Sequence, residues 1–139
     1  MTDPYRLQRF VDAQDRVMDR VRAELRRGRK TSHWMWFVFP QIAGLGSSPT
    51  ARQYAISSLD EARAYLAHPV LGPRLVESAE LVAAVEGHSA AEVFGHPDDL
   101  KLRSSMTLFA RAAPDVPVFT DVLDRFFDGS LDPGTLERI

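Results

Sequence analysis

Leu7, Phe10, Val11, Val17, Met18, Val21 and Leu25 fall three, four and seven residues apart, and Gly28 closes the stretch. That spacing lines one face of an amphipathic helix, and a glycine just past the end is a helix stop. The pattern recurs along the chain in shorter pieces, several of them ended by Gly or Pro. Pieces of this kind bury their apolar faces against one another. The fold class is therefore all-α, a compact arrangement of six to eight short and medium helices rather than a simple up-down bundle. At 139 residues, the chain 1–139 reads as a single domain.

The pieces have readable ends. Thr31 and Ser32 are placed to cap a short helix through 33–39, broken at Pro40, although the same run also suits a short buried strand. Pro40 to Pro49 reads as a loop, with Gly44, Gly46, Ser47 and Ser48 as turn residues. Asp60 is the expected N-cap of a helix over 61–67. A longer helix after Gly72-Pro73 carries Leu75, Ser78, Ala79, Val82 and Val85 on one face. Ser89 caps 90–94, which Gly95 closes. Leu102, Met106 and Phe109 mark the next helix, 118–127 another, and Asp132-Pro133 opens a last turn.

Composition narrows the function classes. A content of 45% hydrophobic and 26% charged residues belongs to a folded chain, not a disordered one. Without cysteine there is no disulfide, no thiolate nucleophile and no thiolate-ligated metal. No apolar run approaches the roughly 20 residues of a membrane span. The stretch Met1 to Asp12 carries acids and arginines where a signal peptide is apolar. The expectation is a cytoplasmic protein with no membrane partner.

Residues 1–30 hold nine basic and five acidic side chains, whereas the remainder holds eight and fourteen. The basic end of the first helix complements the helix dipole, and the net charge of −2 argues against a nucleic-acid partner. His33, His68, His88 and His96 lack the i, i+4 pairing of a helical metal site, so no metal and no cofactor are called for.

Two segments concentrate chemistry. The run Lys30-Thr31-Ser32-His33-Trp34-Met35-Trp36-Phe37-Val38-Phe39-Pro40-Gln41 holds both tryptophans and leads into Gly44-Leu45-Gly46-Ser47-Ser48. An aromatic floor beside a Gly/Ser loop suits a base and a phosphate. The candidate ligand-binding residues are Gln14, Lys30, Ser32, Trp34, Gln41, Gly44, Gly46, Ser47 and Ser104. In the second segment, Lys101-Leu102-Arg103-Ser104-Ser105-Met106-Thr107, a helix puts Lys101 and Ser105 on one face. His33, Lys101 and Ser105 are the candidate catalytic residues, as proton carriers or a lysine-assisted hydroxyl. The chain has fifteen arginines and only two lysines, Lys30 and Lys101, one in each segment. Gln14, in the middle of the first apolar face, either ties down a loop or lines a pocket.

These segments, with His68-Pro69-Val70-Leu71-Gly72 and Phe94-Gly95, closely resemble the bacterial family of unknown function DUF1810 over residues 7–136. The resemblance implies a mostly helical domain and brings no reaction, substrate or catalytic residue. The calpastatin label that some members carry does not fit, since such an inhibitor is long, disordered and repetitive. By fold-level analogy, the same kit of parts is similar to helical domains that process ADP-ribose and related N-glycosides. The first functional reading is a nucleotide-like or ADP-ribose-like small molecule, bound or processed in a pocket formed by the 30–48 and 101–105 segments. The alternative is a non-enzymatic structural or protein-interaction domain with the aromatic run as core.

Overall fold

A computed structural model describes residues 2–139; of the stretch Met1 to Asp12, Met1 lies outside the described residues. The architecture is all-α, as the periodicities predict. The helices are α1 (Gln8–Asp15), α2 (Met18–Arg27), α3 (Met35–Val38), α4 (Pro49–Gln53), α5 (Leu59–Ala67), α6 (Leu71–Ala83), α7 (Ala90–Phe94), α8 (Asp98–Ala112), α9 (Pro117–Phe127) and α10 (Pro133–Leu136). Four of them (α3, α4, α7 and α10) have five residues or fewer. The other six fall within the expected six to eight, and with these short turns the helices among the described residues number ten.

The centre is α8, which packs against α5, α7, α9 and α10. Its buried set, Leu102, Ser104 to Phe109 and Ala112, wraps most of the way round the helix, as expected of an interior helix. On the other side α6 packs on α2, α5 and α9. An aromatic chain runs through the interior: Phe10 meets Tyr65 edge-on at 5.1 Å, and Tyr65 leads to Phe109 (5.4 Å) and Phe119 (5.8 Å). A second group joins Trp34, Phe39 and Phe94 at 6.1–6.4 Å, two of its three contacts edge-on. Such pairs add about 0.5–1.5 kcal/mol each beyond simple burial.

Three local expectations are corrected. The first apolar stripe is not one helix: it breaks at Arg16–Val17, where the Val17 N–H donates to the Gln14 carbonyl at 2.9 Å. The two halves serve different neighbours, α1 packing on α3 and α2 on α6. Thr31 and Ser32 do not cap α3, whose N-cap is Trp34 with no side-chain cap bond; both turn back to α2 instead. The cap of α5 is Ser58 rather than Asp60, because Ser58 Oγ accepts the Glu61 N–H at 3.1 Å. Ser89 and Glu92 complete a capping box on α7, and Asp132 caps α10. Among the described residues no helix is long and apolar enough to cross a membrane.

Candidate functional site

Glu24 sits on α2 between Val21 and Leu25, on the apolar face, and is 2% exposed. A carboxylate there needs partners, and the 31–34 segment supplies them. The N–H groups of Thr31 and Ser32 donate to Oε1 at 2.7 and 3.1 Å, Trp34 Nε1 donates to it at 3.0 Å, and the Ser32 hydroxyl donates to Oε2. Burial raises the Glu24 pKa, but these donors outweigh it and hold the carboxyl at about 2. The indole of Trp34 is thereby fixed in the core at 0% exposure, with no face free for a base to stack on. Ser32 is likewise committed to Glu24.

The two lysines meet. Lys30 Nζ lies 2.9 Å from Asp98 Oδ2, and Lys101 Nζ lies 3.3 Å from Oδ1 of the same carboxylate. Each ammonium also faces a tryptophan ring, Lys30 that of Trp34 at 5.1 Å and Lys101 that of Trp36 at 5.0 Å. Asp98 opens α8, so the start of that helix locks onto the aromatic run. The Lys30 and Lys101 segments are thus adjacent.

Beyond Trp36 the surface opens into a cleft of about 160 Å³. Its lining includes Trp36, Gln41, Gly44, Gly46, Arg52 and Tyr54. Two backbone bonds pin its base: Ala43 N–H donates to the Ile56 carbonyl, and Ile56 N–H to that of Gln41, both at 2.8 Å. Gly44 has φ of +98°, a conformation that favours glycine, and a Cβ there would meet Arg138 Nε at 2.9 Å. The start of α4 is closed by its own cap, since Ser48 Oγ accepts the Ala51 N–H at 3.1 Å.

The remaining candidates lie apart from the cleft. His33 is exposed, and so is Ser47 on the loop. The Gln14 amide donates to the Phe37 carbonyl at 2.7 Å and to Tyr65 Oη at 2.9 Å, tying α1 to α3 and α5. Burial pushes the Tyr65 phenol up. The Ser104 hydroxyl donates to Asp132 Oδ2 at 2.9 Å and lies 3.1 Å from the Leu100 carbonyl oxygen. Ser105 is 0% exposed and its hydroxyl has no partner among the described residues. An unpaired buried hydroxyl costs about 1–3 kcal/mol. Ser105→Ala is therefore expected to raise stability by about 1 kcal/mol in a urea titration; a loss of stability would show that the hydroxyl has a partner.

Sequence reasoning missed Glu24, Asp98 as the shared partner, and Arg52. Only Glu24 left a signal, a carboxylate on an apolar stripe. Among the described residues no group of three or more His, Cys, Asp or Glu side chains is placed to hold a metal.

A family model described as "Protein of unknown function (DUF1810)" matches residues 4–139. The chain belongs to the DUF1810 family. This DUF1810 chain is also similar to a solved structure, the conserved hypothetical protein Rv1873 from Mycobacterium tuberculosis. The two share 57% sequence identity with a TM-score of 0.96, over 97% of this chain and 96% of that one. No curated protein matches the DUF1810 chain in sequence.

Proposed function

We propose that the chain is a small-molecule-binding domain whose cleft takes one flat ring of a nucleotide-like compound, between Trp36 and Tyr54. The observation that carries this reading is the lining itself: two aromatic side chains, an amide and a guanidinium that has no ion-pair partner among the described residues, around one concave space. Volume limits the occupant. Pockets for whole drug-sized ligands run to roughly 300–1,000 Å³, whereas a cavity of about 150 Å³ holds a single benzene ring. A cleft of about 160 Å³ therefore fits the ring of a nucleotide or ADP-ribose-like compound and leaves the rest of the molecule outside. Gln41 would read the edge of the ring, and Arg52 would face whatever extends from it. Lys101, held by Asp98 over the Trp36 ring, supports the aromatic wall.

A thermal-shift screen against nucleosides, nucleotides, NAD, ADP-ribose and sugar phosphates tests the reading. A compound at 100 times its Kd adds about 2.7 kcal/mol to the folded state. At roughly 2.1 cal/mol/K per residue, that moves Tm by about 9 °C for this chain length. The shift is expected to disappear in Trp36→Ala. If the folded wild type responds to no compound in the panel, the small-molecule reading fails and the interaction-domain alternative takes its place.

A further inference from the structure

On the far side of Arg52 lies a second depression, of about 230 Å³, whose lining includes Tyr5, Arg6, Arg9, Arg52, Ser57 and Glu61. It shares Arg52 and Ala55 with the cleft, so the two spaces are neighbours on either side of these residues. Its charge is unbalanced. Arg9 pairs with Glu61 at 3.2 Å and also donates to the carbonyls of Gln53 (2.8 Å) and Ala55 (3.0 Å), while Ser57 completes the Glu61 shell. Arg9 and Glu61 thus neutralise each other as a fixed floor. Among the described residues, Arg6 and Arg52 have no acidic partner, which leaves an excess of two positive charges facing one small space.

The backbone adds an independent sign. Arg6 has φ of +52°, a left-handed conformation that an arginine rarely adopts. Asp3 enforces it: its carbonyl accepts the Arg6 N–H at 3.0 Å, and its carboxylate accepts the N–H groups of Leu7 and Gln8 at 2.8 and 3.0 Å. Strain of this kind persists only where surrounding contacts over-determine it, and it clusters at ligand clamps.

We infer that this depression is a phosphoryl subsite, in which Arg6 and Arg52 grip the phosphate of a phosphomonoester whose ring occupies the cleft. The inference rests on the cleft reading for the ring and on the depression alone for the phosphate. A phosphomonoester carries about −1.5 to −2 charges at pH 7, matching the excess of two, whereas a carboxylate matches only half of it. The guanidinium fork suits two phosphate oxygens at once.

The test is a two-dimensional amide NMR titration of the full chain with inorganic phosphate at low ionic strength. Saturable shifts are expected at residues 5–7 and 52–57. Arg6→Gly keeps the backbone conformation, because glycine tolerates a positive φ, and removes one cation. Arg6→Gly and Arg52→Gln are each expected to weaken phosphate binding by about tenfold or more. Arg20→Gln, which removes the same charge from α2, is expected to change nothing, and so is Trp36→Ala. Phosphate binding that survives Trp36→Ala supports the subsite even if no ring compound binds the cleft. The subsite is overturned if phosphate shifts no amide in those segments, or if the Arg6→Gly, Arg52→Gln double variant binds it as tightly as wild type.

Discussion

Replacing Glu24 by alanine is expected to cost about 4 kcal/mol of stability, a large part of the roughly 5–15 kcal/mol typical of a small domain. The substitution strands the Thr31 and Ser32 amides and the buried Trp34 indole N–H, all of which donate to Glu24. Each buried donor without an acceptor costs about 1–3 kcal/mol. Glu24→Gln keeps the shape but not the charge, and an intermediate loss is expected. The acid response separates the two contributions. The carboxyl titrates at about 2 in the folded protein against 4.5 when unperturbed. Its contribution is fully present above pH 4.5 and fades as pH falls towards 2, amounting to about 3 kcal/mol. Urea midpoints of wild type and Glu24→Gln are therefore expected to converge between pH 4.5 and 2. Parallel curves across that window would mean that the carboxylate is not the hub.

Gly72→Ala is the second severe case. A Cβ at Gly72 would stand 2.1 Å from the Leu66 carbonyl oxygen and 3.0 Å from its carbon. These are backbone atoms of α5, so no side chain can swing aside. The turn between α5 and α6 is itself fixed: His68 Nδ1 accepts the Val70 and Leu71 N–H groups at 3.1 and 3.3 Å, and the Gly72 N–H donates to the His68 carbonyl at 3.0 Å. In an open helix the same change would stabilise by up to about 1 kcal/mol. Here overpacking is expected to cost about 3 kcal/mol or more, a fall in Tm of about 10 °C at this chain length. A melting point within about 2 °C of wild type would show that α5 and α6 do not approach so closely.

The helices were legible where caps and stops are local. Ser89 and Gly95 around α7, and Asp132 before Pro133, are read from neighbours within one turn. The break at Arg16–Val17 was not legible, because the apolar stripe continues across it in phase and only the partner helices differ. At the candidate site, the sequence nominated both lysines but not Asp98, since nothing local says that a residue of α8 returns to the 30–36 segment. Trp34 and Trp36 are two residues apart in a run that suits helix or strand; the sequence nominates Trp34 for the ligand and leaves Trp36 to the core, and the structure places Trp34 in the core and Trp36 at the cleft. The short α3 turns Trp34 inward to Glu24 and Trp36 to the cleft. Arg52, one of fifteen arginines on a single-turn helix, carried no distinguishing pattern.

The two backbone bonds that tie Ile56 to Gln41 and Ala43, on either side of Ile42, have a consequence for loop length. They close residues 43–55 into one excursion, which rests on the core through Leu45 and Tyr54 and is tied to α1 by Arg9 at Gln53 and Ala55. Doubling such a loop costs only about 0.6 kcal/mol. Insertions at the exposed Gly46–Ser47 tip would reshape the cleft wall while Ile42 and Ile56, both buried, stay in place. An insertion at that tip is therefore expected to lengthen the segment without displacing the two residues that hold its ends.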